Sequence, residues 1–181
     1  KNFKKIFAVV LVALFTAFSV SAQELPTGLT LPSAVSDNMV LQQNALINIW
    51  GWAKPKAKVA VTVDWSTEKL ATKADKEGYW CVSVQTPAAS YDAHTVTIVA
   101  GKESRTLSNI LIGEVWLCSG QSNMEFKVRQ ALDMKHLLEG EMNPYIRLFC
   151  TGRIYSETPQ NDVPTHDLGK GHRNTKWTEC N

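Results

Sequence analysis

Apolar and polar positions alternate in short runs from about Leu25 to Ser108, and Gly, Pro, Asn and Asp separate the runs. Leu46-Ile47-Asn48-Ile49-Trp50-Gly51-Trp52 leads into a turn at Lys54-Pro55. Val59, Val61, Val63 and Trp65 then alternate with Ala60, Thr62 and Asp64, the period of a half-buried strand. Asp75 to Gly78 reads as a turn before a strand from Tyr79 to Val84, and Tyr91-Asp92 as another before His94 to Val99. No helical period competes, so about 80 residues of this kind predict an all-β sandwich module. Trp50 and Trp52, two apart on one strand, share a face. Core packing is the simpler expectation for them, since large aromatics fill the space between two sheets, and a sugar-stacking platform is the alternative.

The pattern changes near Asn109. Ile110-Leu111-Ile112 and Val115-Trp116-Leu117-Cys118 form an apolar stretch broken only by Gly113-Glu114, as expected of a strand covered on both faces in a parallel sheet. A helix is expected over about 129–139, with Gly140 as its stop, and a strand over Tyr145 to Cys150. Together these read as one βαβ unit, the incomplete start of an α/β domain. Ser156 to Lys176 is polar and irregular. A single βαβ unit leaves apolar faces uncovered, so further sequence is expected after Asn181. The expected division is 1–22, 23–109 and 110–181.

The first of these parts is a targeting segment. Lys1, Lys4 and Lys5 precede a run from Ile6 to Phe18 without charge, and Val20-Ser21-Ala22 places small residues where a secretory signal is cut. Cleavage after Ala22 sends the mature chain to the periplasm or the exterior. The formal charge of +2 then falls to about −1, because three of the 19 Lys plus Arg leave against 17 Asp plus Glu. That balance gives no footprint for nucleic acid and no polybasic patch for a membrane. Cys81, Cys118, Cys150 and Cys180 show no metal-ligand spacing; two disulfides or free buried thiols both fit. No metal or other cofactor is expected.

Candidate chemistry sits at Cys118-Ser119-Gly120-Gln121-Ser122-Asn123-Met124, where the expected buried strand ends. That carboxyl edge is where open α/β sheets place ligands. Ser122 is the candidate nucleophile and its N–H a candidate oxyanion donor. Gly120 permits a tight turn and close backbone approach, while Gln121 and Asn123 are candidates to support the loop by hydrogen bonds. A serine needs a base to take its proton. Serines in such turns also serve as caps, and the stretch lacks the second glycine of the G-x-S-x-G elbow.

The longer string Gly113-Glu114-Val115-Trp116-Leu117-Cys118-Ser119-Gly120-Gln121-Ser122-Asn123-Met124-Glu125-Phe126 closely resembles the nucleophile segment of the sialate O-acetylesterase family, carbohydrate esterases of the SGNH-hydrolase type. The resemblance extends to Asp37-Asn38-Met39-Val40-Leu41-Gln42, to Ile146-Arg147-Leu148-Phe149 and to Ser156-Glu157-Thr158-Pro159. It implies a flavodoxin-like α/β catalytic domain and metal-independent hydrolysis of O-acetyl esters on sugars, typically sialic acid, through an acetyl-enzyme on Ser122. The O-acetylated sugar is the implied partner. The family's Asp-x-x-His segment has a literal match in Asp133-Met134-Lys135-His136. His136 lies 14 residues after Ser122, on an element leading away at about 1.5 Å per helical residue, so it is rejected as the base. His94, His166 and His172 are weak candidates on equal terms, and the isolated 181 residues are expected to be inactive. The alternative function is a non-catalytic carbohydrate-binding or adhesion module.

Overall fold

The computed structural model describes residues 26–126, 130, 143–151, 155–163 and 175–180. The targeting segment, the helix expected over 129–139 apart from Gln130, and His136, His166 and His172 lie outside the described residues. What is described is mostly β: strands β1 (Val40–Gln42), β2 (Leu46–Trp52), β3 (Lys58–Val63), β4 (Leu70–Lys73), β5 (Tyr79–Gln85), β6 (Ser90–Ala100), β7 (Glu103–Gly113), β8 (Arg147–Phe149) and β9 (Trp177–Glu179), with a 3-10 turn at Ser122–Glu125.

β2, β3 and β5 fall where the alternation places them. In β3 the side chains of Val59, Val61 and Val63 are buried while Lys58, Ala60 and Thr62 face solvent. Five strands form one sheet in the order β1-β7-β6-β3-β4, and β2 pairs with β5 in a second. The two sheets share one apolar core. Val59, Val61, Val96, Ile98 and Ile110 of the first meet Ile49, Trp80, Val82 and Val84 of the second. Full burial of each such aliphatic chain contributes about 1.5–3 kcal/mol, so this shared layer holds the sheets together. Trp80 is 1% exposed at its centre. Trp50 and Trp65 are half-buried against the same core, and Trp52 lies edge-on to Tyr79 with ring centroids 6.4 Å apart.

Three expectations are corrected. Val115 to Cys118 forms no strand and is exposed, with Trp116 at 82% and Leu117 at 95%. The buried apolar run instead ends β7, where Ile110, Leu111 and Ile112 are covered. Second, β8 does not lie parallel to this run but pairs antiparallel with β9, so no βαβ pairing exists among the described residues. The reason is that both edges of the run are occupied: Leu111 to Gly113 pairs in parallel with Val40 to Gln42, while Ile110 and Ile112 face His94 and Ser90 of β6. No backbone edge remains there for another strand. Third, Tyr91-Asp92 is not a turn. It lies inside β6, where the register shifts between Ser90 opposite Ile112 and His94 opposite Ile110, and this bulge absorbs the polar residues without ending the strand.

Glycine matters at two places in this frame. Gly78 has φ +88°, which closes the turn before β5. Gly51 faces the Thr30 carbonyl, whose oxygen would stand 2.5 Å from an added Cβ. Thr30 and Trp52 exchange two backbone hydrogen bonds of 2.8 Å at this point, and only a hydrogen atom fits between them.

Candidate active site

β7 delivers the chain to the site. Gln43 N–H donates to the Gly113 carbonyl at 2.9 Å, and two side-chain amides then hold the next residues. Gln42 Nε2 donates to Glu114 Oε2 at 3.1 Å and Gln43 Nε2 to Glu114 Oε1 at 2.7 Å. Val115 N–H donates to Gln42 Oε1 at 2.9 Å. The amides of Gln43 and, second, Gln42 hold the Glu114 carboxyl below the ordinary glutamate range, against a weaker opposing effect of burial.

From Val115 the chain runs exposed to Gln121, which precedes the 3-10 turn in an extended conformation. Met124 N–H closes the turn on the Gln121 carbonyl at 3.0 Å, and Phe126 N–H donates to the Asn123 carbonyl at 3.2 Å. Ser122 therefore stands first in the turn, ahead of its first closed bond, where N–H groups lack a partner within the turn. Ser122, Gln121, Asn123 and Gly120 are all exposed. Gly120 lies under the Met124 side chain, whose Cγ would meet an added Cβ at 2.9 Å. Gln121 makes no side-chain cap of the turn.

His94 is the one histidine among the described residues, and it is engaged elsewhere. Its Nδ1 lies 2.8 Å from Asp64 Oδ1, while Asp64 Oδ2 accepts from Thr95 N–H at 2.6 Å and from the Thr95 hydroxyl at 3.1 Å. The Trp65 ring stands edge-on to the imidazole at 5.3 Å. No hydrogen bond or ring contact joins His94 to Ser122. Asp64 holds the His94 imidazole, a pairing that sequence reading missed because the two residues lie 30 positions apart. Among the described residues no group of three or more His, Cys, Asp or Glu side chains is placed to hold a metal ion. Cys81, Cys118, Cys150 and Cys180 are free thiols.

The two motifs flanking the serine segment meet in one polar cluster. Arg147, with 3% of its side chain exposed, donates through Nη1 to Glu179 Oε1 at 2.7 Å and through Nη2 to Asn109 Oδ1 at 3.2 Å. Asn109 Nδ2 donates to Asn38 Oδ1 at 2.7 Å, and Asp37 Oδ1 accepts from Ser108 N–H at 2.7 Å. Trp177 Nε1 donates to the Ala34 carbonyl at 2.9 Å and its ring meets Phe149 at 5.2 Å. The β8–β9 pair is thereby fastened to the end of β7 and to the segment before β1.

No family model matches the chain. It is similar to the sialate O-acetylesterase of Mus musculus, with 29% identity over 150 residues, covering 78% of this chain and 28% of that protein. The Homo sapiens sialate O-acetylesterase is 28% identical over 150 residues, covering 78% of this chain and 29% of its own length. The chain thus spans less than a third of the length of these relatives. A solved carbohydrate acetylesterase from Xanthomonas citri superposes with a TM-score of 0.72 at 28% identity, over 84% of this chain and 32% of that one. The likeness to sialate O-acetylesterases read from the serine segment is borne out by relatives of that name.

Proposed function

We propose that this chain is part of an exported carbohydrate O-acetylesterase, with sialic acid O-acetyl esters as the leading substrate class and Ser122 as its nucleophile. The observation that carries the reading is the placement of Ser122: exposed, first in a 3-10 turn, within a 14-residue stretch of sialate O-acetylesterase type. Kinship with two mammalian sialate O-acetylesterases and a bacterial carbohydrate acetylesterase supports it. In the same reading, the shared-core module, which includes all of β7, is a β-sandwich, and the chain after Gly113 opens an SGNH-type domain.

The chemistry follows from the hydroxyl. Ser122 Oγ adds to the acetyl carbonyl as its proton passes to a base. The developing oxyanion is met by backbone donors that include the Ser122 N–H, and the sugar oxygen leaves carrying the proton. Water, deprotonated by the same base, cleaves the acetyl-enzyme to acetate and free Ser122. Gly120 lets the backbone approach, and Gln121 and Asn123 support the loop. The 181 residues by themselves are inactive in this reading, and His94, the one histidine among the described residues, is bound to Asp64 and makes no hydrogen bond to Ser122. Export follows from residues 1–22, and mature protein beginning at Gln23 is the expected form.

The test is Ser122→Ala in the protein expressed from its complete reading frame. Acetate release from O-acetylated sialic acid falls by several powers of ten, while the denaturant midpoint stays within about 0.5 kcal/mol of wild type, as expected at an exposed position. Retained turnover with a lowered midpoint makes Ser122 a turn residue and overturns the assignment.

A further inference from the structure

Gln42 and Gln43 end β1 and begin the turn that follows it, 72 and 71 residues before Glu114 in the chain. An amide side chain can face either way, so its orientation carries information only when its surroundings fix it. Here both are fixed by backbone donors. Val115 N–H points at the Gln42 side chain and requires its oxygen there; Ala89 N–H, 2.9 Å from Gln43 Oε1, does the same for the second amide. Both NH2 groups are thereby turned onto the two oxygens of Glu114, which must be an acceptor on both sides. Gln42 is itself held in place: its carbonyl accepts from the buried Thr86 hydroxyl at 2.6 Å, and its Cα is in register with Gly113.

These are the last hydrogen bonds between the β-module and the chain before the serine turn. Residues 116–120 make none among the described residues, so the direction in which the chain leaves β7 is set at Glu114 and Val115. We propose that Gln42 and Glu114 are positioning residues for the Ser122 loop: Gln42 reads the carboxylate of residue 114 and the N–H of residue 115 together, and aims the loop for acyl transfer. The inference rests on the nucleophile assignment above and assigns a mechanistic task to the front module. Neither residue touches the substrate; both act through the backbone.

The geometry supplies its own test, a reciprocal exchange. Gln42→Glu alone sets two carboxylates against each other and removes a donor. Gln42→Glu combined with Glu114→Gln restores every match: the carboxylate now at position 42 accepts from Val115 N–H and from the amide now at position 114, whose oxygen still accepts from Gln43. In the protein from the complete reading frame, Q42E is expected to lower kcat for acetate release, and the rate at which a fluorophosphonate labels Ser122, by about tenfold to a hundredfold, with KM changed less than about threefold. The double variant recovers to within about threefold of wild type. S122A, run in parallel, separates the two readings. If S122A keeps turnover, the nucleophile assignment fails. If S122A is inactive while Q42E labels and turns over like wild type, the positioning role is overturned and the nucleophile stands. Should Q42E not fold, the double variant decides: recovery of folding and turnover supports the clamp, and a double variant no better than Q42E refutes it.

Discussion

Asn38 and Asn109, 71 residues apart, both adopt left-handed backbone conformations, with φ 65° and 55°, and a 2.7 Å hydrogen bond from Asn109 Nδ2 to Asn38 Oδ1 joins them. Left-handed backbone suits Asn better than most residues, and here the Asn38 side-chain oxygen accepts from Asn109 while Asn109 Oδ1 is left to accept from Arg147. The two positions let the segment before β1 and the end of β7 turn toward each other, and Arg147 then closes the cluster from β8.

Replacement at Asn38 separates backbone from side chain. Asn38→Gly keeps the left-handed conformation and loses one hydrogen bond, whereas Asn38→Ala loses the bond and adds strain. Alanine is expected to be the more destabilising of the two by about 1–2 kcal/mol in denaturant midpoints. Equal midpoints would remove the conformational argument.

Arg147→Ala removes the donor shared by Glu179 and Asn109. Because the guanidinium is buried while Glu179 is partly exposed, the expected loss is about 2–4 kcal/mol, with release of the β8–β9 pair. Amide hydrogen exchange checks this: protection should fall first at Phe149 and Trp177, and Arg147→Lys should recover only part of it, since an ammonium cannot bridge two acceptors as a planar fork does.

Gly51→Ala brings a methyl group against the Thr30 carbonyl and the Trp80 ring in the core. Neither can withdraw without breaking the paired bonds between Thr30 and Trp52, so a loss of about 1–3 kcal/mol is expected from thermal or denaturant unfolding. The same change at Gly101, where nothing lies within 4 Å of an added Cβ but φ is +63°, isolates the cost of backbone strain alone.

Glu114 offers a pH readout. Its folded-state pKa is depressed by the amides of Gln43 and Gln42, so the stabilisation these bonds provide is present above the ordinary glutamate range and lost as pH falls through the lowered folded value. Carboxyl chemical shifts should show Glu114 titrating below the ordinary glutamate range. Gln43→Ala should move it back upward further than Gln42→Ala does, since Gln43 is the larger cause. An unshifted Glu114 in the wild type would mean the clamp is open in solution.

Much of the β-module was legible in the sequence, and the reason is local. Val59, Val61 and Val63 alternate with solvent-facing residues, and a period of two means one thing on a half-buried strand. Lys54-Pro55 and Asp75 to Gly78 mark turns by backbone chemistry that needs no distant partner. The serine segment was legible as a string, because Gly113 to Phe126 is contiguous.

The tertiary structure decided what depends on partners far along the chain. Val115 to Cys118 is as apolar as Ile110 to Ile112, yet only the second run is covered, since β1 and β6 occupy its edges and the shared core takes Ile110. Composition states a need for burial and does not supply the cover. Tyr91-Asp92 carries turn residues, but pairing on both sides of the bulge outweighs that local preference. The bonds of Asp64 with His94, of Asn38 with Asn109, and of Gln42 with Glu114 join residues 30, 71 and 72 positions apart. No spacing rule links such positions, because a hydrogen bond acts over about 3 Å and only the folded chain sets which groups come that close.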